Sequence, residues 1–338
     1  MRRFFTPFRI ALGLVLLLLA TGAILYTVPS GDYLLLPDVA HPVAPLVKVQ
    51  GAHPVKGSGT IYFVDVVERK ASELESLFPS IHPHASLVPA NVIVPPGTTS
   101  QAVQKAELRE MSISQKVAAA VALRRLGYHV VIQRDGVIVN SIFRGTNAYG
   151  KLQPTDVIVS VDRVATPTIA KLRSVLAQVP PGSDVTLRVR RGSRLLTLHV
   201  TTVSDPQQPG RAIVGFEPAQ SARIKLPIRV SIDAHGIGGP SAGLAFALEV
   251  MEKLGHDVTN GYQVAATGQM ELDGKLAPIG GVKQKTYGVR AAGADVFLVP
   301  AGDNATVARR YAGDSLRIIP VKSFAQALHA LATLPSAP

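Results

Sequence analysis

The sequence predicts an α/β protein of α+β character, built from more than one folded unit behind a single N-terminal apolar helix. Three observations carry this. Ile10 to Val28 contains no charged residue. The C-terminal third alternates short apolar runs with helical stretches punctuated by glycine, the pattern of an α/β layer. Between them, residues 126 to 203 read as a compact set of strands around one helix. The 338 residues suit roughly two domains, and 47% hydrophobic against 17% charged residues argues against extended disorder.

Composition narrows the function classes. With no cysteine, the chain has neither a disulfide framework nor a thiolate metal site, and we expect no metal and no cofactor. The net charge of +12 comes partly from Arg2, Arg3 and Arg9 and partly from Arg188, Arg190, Arg191 and Arg194 around a Gly-Ser turn. Neither a zinc-finger spacing nor an aromatic-rich strand accompanies them, so a solvated basic surface is expected and no nucleic acid.

Taken in order, residues 1–9 form a basic tail and 10–28 an apolar helix. At about 1.5 Å per residue that helix covers about 28 Å, close to a bilayer's hydrocarbon core. Basic residues precede it and Asp32 and Asp38 follow it, which predicts a cytoplasmic N-terminus and an extracytoplasmic remainder at the cell membrane. A cleaved signal peptide is the competing reading, given the small residues Ala20, Gly22 and Ala23. The run exceeds the ~7 to 15 residues of a typical signal core, which favours a retained single-pass anchor. Pro29, Pro37, Pro42 and Pro45 predict an extended stalk over 29–45. Strands follow at 46–50 and 60–67, then helices at about 101–110 and 113–126.

After the 126–205 unit and a Pro-Gln-Gln-Pro-Gly linker at 206–210, apolar residues alternate from Ile224 to Ile232, as in a half-buried strand. Pro227 places that strand at an edge. A helix runs from Pro240 to Leu254, with proline in its first turn and Gly255 at its end. Strand pairing around Asp273-Gly274, a helix at 283–292, and strand, helix, strand, helix to residue 333 complete the layer.

The chemistry centres on Gly-Gly-Pro-Ser-Ala-Gly at 238–243. Gly-x-Ser-x-Gly is the pattern of a strained turn presenting a nucleophilic serine, here Ser241. A histidine base is poorly supplied: His256 lies beyond the helix end, His329 is in the last helix, and the pair Asp233 and His235 reads equally as loop edge. Lysine serves as a base if burial lowers its pKa from about 10.4. Lys283 and Lys285 are the candidates, and two apart on a helix they point about 200° from each other, so only one faces Ser241.

Two resemblances sharpen this. Residues 126–203, beginning Leu126-Gly127-Tyr128, resemble a PDZ domain of the kind fused to bacterial proteases; a spacer module of the same build is the alternative. The resemblance implies a sheet edge that accepts a peptide strand, with the amides of Leu126, Gly127 and Tyr128 holding a terminal carboxylate. Thr155 stands where such domains usually have glycine. The second resemblance rests on Gly-Gly-Pro-Ser-Ala-Gly, Ala-Thr-Gly-Gln at 266–269 and Leu-Ala-Pro-Ile-Gly-Gly-Val-Lys-Gln-Lys at 276–285, in that order. Together they resemble the proteolytic domain of the Lon family of Ser/Lys peptidases. With the anchor and the PDZ segment, the chain is similar to membrane-anchored PDZ and Lon-domain proteases, the YlbL-like family.

The resemblance implies that Ser241 is the nucleophile, that Lys285 is its partner, and that the Thr267 hydroxyl holds the lysine amine. It also implies a Lon-type proteolytic domain at 211–335 with the PDZ domain inserted, residues 46–125 packing with the catalytic part, and possible assembly into a homo-oligomeric ring. Gly239, Pro240 and the helix N-terminus are expected to form the oxyanion site. ATP-dependent relatives have acids where this chain has Gly238 and Gln269. The nearest match to a phosphate-binding loop, Gly268 to Lys275, lacks the spacing and the following Ser or Thr. The expected activity is ATP-independent endoproteolysis of protein or peptide substrates. A silent peptide-binding scaffold and a Gly-x-Ser-x-Gly esterase are the alternatives.

Overall fold

The structure, a computed structural model, describes residues 7–55, 59–94 and 99–335. Arg2 and Arg3, and with them most of the expected basic tail, lie outside the described residues. Helix α1 (Pro7–Thr27) carries Arg9 as its one charged residue, and its Ile10–Thr27 stretch has a mean hydropathy of 2.3 with no fully buried residue.

The expected stalk is a strand instead. β1 (Pro29–Pro37) starts two residues after α1, and β2 (His41–Pro42), β3 (Val47–Val49), β4 (Thr60–Phe63) and β5 (Val66–Ser72) follow. Pro29 and Pro37 sit at the ends of β1, where a missing N–H costs little, while Tyr33 to Leu36 supply the paired core of the strand. The expected single strand 60–67 splits between β4 and β5 at Val64 and Asp65. Next come α2 (Glu73–Leu77), β6 (Ser86–Pro89) and α3 (Ala90–Ile93); β5, β1 and β6 form an antiparallel sheet in that order.

Ser72 and Glu75 cap α2 reciprocally, with the Ser72 N–H donating to Glu75 Oε2 at 2.8 Å. The buried Glu75 carboxylate also takes Arg69 at 2.5 Å and His82 at 2.6 Å, pinning the segment after α2. The Arg69 hydrogen bond, aided by Ser72 and His82, holds this carboxyl far below the usual range.

The two helices expected over 101–126 are one, α4 (Ser100–Arg125), capped by Thr99. Ser112, Ile113 and Ser114 are weak helix formers, but Met111, Ser114 and Val117 to Leu123 are buried, and that packing carries the helix through.

The central unit comprises β7 (Val131–Ile142), β8 (Val157–Val161), β9 (Val164–Ala165), α5 (Ile169–Leu176), β10 (Asp184–Arg191), β11 (Arg194–Thr201), β12 (Val203–Ser204), β13 (Ala212–Ile213) and β14 (Phe216–Lys225). Its sheet runs β11-β10-β8-β7-β14, over a core that includes Val137, Ile158, Leu172 and Leu187. The expected linker at 206–210 is the turn between β12 and β13, closed by an Asp205–Arg211 ion pair. Thr155 adopts φ +68°, the left-handed conformation that glycine takes without penalty.

The expected strand 224–232 is two pieces. β14 ends at Lys225 in the central sheet, and β15 (Val230–Ile232) pairs with β3, so Pro227 stands where the chain leaves one sheet for another. Then come α6 (Gly243–Lys253), β16 (Gln263–Ala266), β17 (Gln269–Met270), β18 (Leu276–Ala277), α7 (Val282–Ala291), β19 (Val296–Pro300), α8 (Asp303–Tyr311), β20 (Arg317–Val321) and α9 (Phe324–Ala332). Strands β4, β16, β19 and β20 are parallel neighbours, with β2 antiparallel on the β4 edge. Residues 41–63 thus share sheets with residues beyond 229. α6 is buried from Gly243 to Glu252, and α4 packs along it. On α7, a Cβ at Gly288 would lie 1.8 Å from the Asp38 carbonyl, so only glycine lets the chain after β1 cross this helix.

Candidate active site

The loop before α6 bends at Gly239, φ +83°, and delivers Ser241 just ahead of the first helical turn. Across from it, Gly281 in the left-handed conformation starts α7, whose first turn carries both candidate lysines. They diverge as helical geometry requires. Lys283 Nζ donates to the Ala85 carbonyl at 2.9 Å, away from the serine. Lys285 is 5% exposed, and its Nζ donates to Ser241 Oγ at 2.6 Å.

Burial pushes the Lys285 amine down to about 8, against the opposing pull of the Asp65 and Glu68 carboxylates. Asp65 itself is raised by burial and by Asp38, and one of its oxygens is buried without a hydrogen-bond partner. Glu68 and Glu107 are likewise raised, mainly by burial. All three carboxylates line the cleft of about 670 Å³ that contains Ser241 and Lys285, together with Gln269. None of the three was singled out from sequence. Asp65 interrupts an otherwise apolar strand, a signal that could have marked it; Glu107 lies on a helix far away in sequence and carried no signal.

Three sequence expectations are corrected. The Thr267 hydroxyl donates to the Ser241 carbonyl at 3.1 Å and so braces the serine's backbone instead of the lysine amine. The Gly239 N–H is spent on the Glu107 carbonyl at 2.9 Å, which removes it from the expected oxyanion donors. Pro240, without an N–H, contributes its carbonyl, which accepts from the buried Ser114 hydroxyl at 2.9 Å. α4 therefore grips the Ser241 loop at two points. Gly238 is part of that grip: a Cβ there would meet Glu107 Cβ at 2.7 Å.

The Leu126, Gly127 and Tyr128 amides also have partners. They donate to carbonyls of the last turn of α4, with Tyr128 reaching Leu123 at 3.0 Å, so this turn is a helix cap and offers no free carboxylate cradle. The outer strands of that sheet are β11 and β14. The histidine candidates fall elsewhere. His235 is exposed beside Asp233 at 3.5 Å, and His256 and His329 line a separate cavity. Among the described residues one group, Asp38, His41 and Asp65, brings possible metal-ligating atoms within 4.8 Å of one another, with His41 exposed.

The arrangement fits what comparison with known proteins finds. Residues 212–333 match the Lon protease (S16) C-terminal proteolytic domain, and residues 125–202 match the PDZ domain. Lon protease 2 of Bacillus subtilis is 31% identical over 116 residues, covering 34% of this chain and 20% of that protein. Lon protease 1 of the same organism is 25% identical over 207 residues, covering 60% of this chain and 26% of that one. The PDZ domain of an SdrC-like protein from Listeria monocytogenes, a solved structure, is 20% identical and covers 25% of this chain and 88% of its own, with a TM-score of 0.24. The chain spans about a fifth of the length of the curated relatives it matches. It therefore carries a serine protease domain of the Lon type. More particularly, it joins a PDZ domain to a Lon C-terminal proteolytic domain and is a distant homologue of the Lon proteases.

Replacing Asp65 with asparagine removes a negative charge that favours the protonated amine of Lys285. If activity needs the neutral amine, the acid limb of the kcat/KM profile moves to lower pH in this variant. An unmoved limb, measured between pH 5 and 9, would show that Asp65 does not tune the lysine.

Proposed function

We propose that the chain is a membrane-anchored serine endopeptidase that cleaves unfolded protein or peptide substrates with a Ser241–Lys285 dyad. The observation that carries the reading is the 2.6 Å contact between Ser241 Oγ and a buried lysine amine. In the neutral state the amine accepts the serine proton as Oγ attacks the scissile carbonyl. It then returns that proton to the leaving amine, and water hydrolyses the acyl-enzyme by the same route. Amides at the N-terminus of α6, from Ser241 onward, stabilise the oxyanion in place of Gly239. The pH dependence follows: with an amine pKa of about 8, the base form falls about tenfold per unit below that value.

α1 acts as a single-pass anchor with a cytoplasmic N-terminus, leaving the catalytic part extracytoplasmic. The PDZ domain is an insert in the proteolytic body. Pairing of β3 with β15 and of β4 with β16, across the whole intervening unit, supports this. One of its outer strands engages substrate segments by strand addition. Proteolysis runs without ATP, and ring assembly is the oligomer that the family resemblance suggests.

The test is cleavage of casein by the full chain in detergent, with and without ATP, beside Ser241→Ala. Cleavage independent of ATP and lost in the variant is expected, as is Ser241-dependent labelling by a fluorophosphonate probe. Undiminished cleavage or labelling of Ser241→Ala would overturn the assignment.

A further inference from the structure

The segment that follows α2 is exposed, apolar and uncharged. From Ser76 to Val94 the sequence contains no Asp, Glu, Lys or Arg, in a chain of which 17% is charged. Three of its large apolar side chains face outward clear of the cleft, Leu77 at 60% exposure, Phe78 at 56% and Ile81 at 46%, while Val92, 61% exposed, lines the cleft itself. Isolated exposed apolar residues are common, but a long surface stretch combining them with a complete lack of formal charge is not.

Its position supplies the partner. α2 and β5 pack against α1, and Gly22 and Leu25, within the apolar stretch of α1, are half-buried. The Glu73 N–H donates to the Val28 carbonyl at 2.9 Å, tying the start of α2 to the end of α1. With no stalk between α1 and β1, the folded body cannot drift from the helix end, and the Arg69–Glu75–His82 cluster fixes the chain that carries Phe78 and Ile81.

We infer that Leu77, Phe78 and Ile81 dip into the interfacial layer of the bilayer that α1 crosses, docking the proteolytic body flat against the membrane. The inference rests on the reading of α1 as a membrane anchor. Burying these side chains in the headgroup and acyl boundary removes apolar surface from water, none of the three carries a charge, and Phe78 suits that boundary. A docked body keeps the cleft at a constant height above the membrane, so that juxtamembrane segments of neighbouring proteins become its nearest substrates.

The absence of cysteine makes the test direct, because one introduced thiol is the only labelling site. Full-length Phe78→Cys, Ile81→Cys, Leu17→Cys and Leu195→Cys carry an environment-sensitive bimane in phosphatidylcholine vesicles containing lipids spin-labelled near the headgroup or deep in the acyl chain. Leu17 lies within α1, and Leu195 is an exposed apolar residue of the PDZ sheet. We expect the Phe78 and Ile81 probes to lose more than half their intensity to the shallow label, Leu17 to be quenched by the deep label, and Leu195 to be unaffected. Adding Phe78→Glu should abolish quenching at Ile81 but not at Leu17. Quenching at Leu17 without quenching at Phe78 overturns the docking and leaves the anchor standing; no quenching at Leu17 overturns the anchor itself. A Phe78 probe that is shielded in proportion to protein density and is insensitive to spin-labelled lipid places a second copy on this face, and equal quenching at Leu195 reduces the contact to adsorption; either result overturns the docking.

Discussion

Lys285→Met is expected to abolish proteolysis and at the same time to stabilise the chain by about 3 kcal/mol at pH 7. Burial holds the amine at about 8, well below its ordinary 10.5. At about 1.4 kcal/mol per unit, folding pays about 3 kcal/mol to hold that group at neutral pH. Methionine keeps an unbranched chain of similar length and omits the charge. The sign is checked by pH. Between about 8 and 10.5 the folded wild type binds fewer protons than the unfolded chain, so its stability rises with pH across that window, while the variant's does not. Denaturant midpoints should therefore differ most at pH 7 and converge above pH 10.5. In a chain of 338 residues the neutral-pH difference corresponds to a thermal shift on the order of 4 °C. A variant no more stable than wild type would mean that the lysine is not desolvated in solution. A gain in stability together with lost proteolysis would mark Lys285 as a residue held at a cost to stability for activity.

Glu75→Ala is the largest expected loss, about 3 kcal/mol or somewhat more. The carboxylate is buried, caps α2, and accepts from Arg69 and His82, so removing it leaves the Ser72 amide and two basic side chains without their acceptor. Because its folded pKa lies below the unfolded value near 4.5, this contribution is complete at neutral pH and is lost as pH falls from about 4.5 toward the folded pKa. Unfolding of wild type and variant by urea at pH 7 and at pH 3.5 should show the difference shrinking at the lower pH. Limited proteolysis should find new cuts between Phe78 and Ile81 in the variant. A pH-independent difference would assign the loss to the cap geometry instead of the charge.

The parts of the site that were legible in sequence are those whose chemistry is local. A glycine-rich turn before an apolar helix marked Ser241, and helical divergence of Lys283 and Lys285 meant that only one could reach it. What was hidden depends on elements brought together from afar. Glu107 and Ser114 hold the Ser241 loop from a helix more than a hundred residues upstream, and Asp65 approaches Lys285 from the break between β4 and β5. Prolines misled in the opposite direction: Pro29 and Pro37 read as a stalk because their pairing partners, Ser72 and Val66, are not visible locally. The Leu126-Gly127-Tyr128 turn resembled a carboxylate cradle, yet the unbroken α4 ahead of it consumes those amides as its own cap.

That unbroken helix is also a ruler. From Glu107, beside the Ser241 loop, to Arg125, at the threshold of the PDZ domain, the rise is about 27 Å at 1.5 Å per residue. An extended polypeptide advances about 3.3 Å per residue, so a substrate that touches both ends of the span needs at least about eight residues between its two contacts. The PDZ domain also returns to the other end of this ruler, where Arg109 donates to the Thr155 hydroxyl at 3.5 Å, so the two units meet along the helix and not only at Arg125.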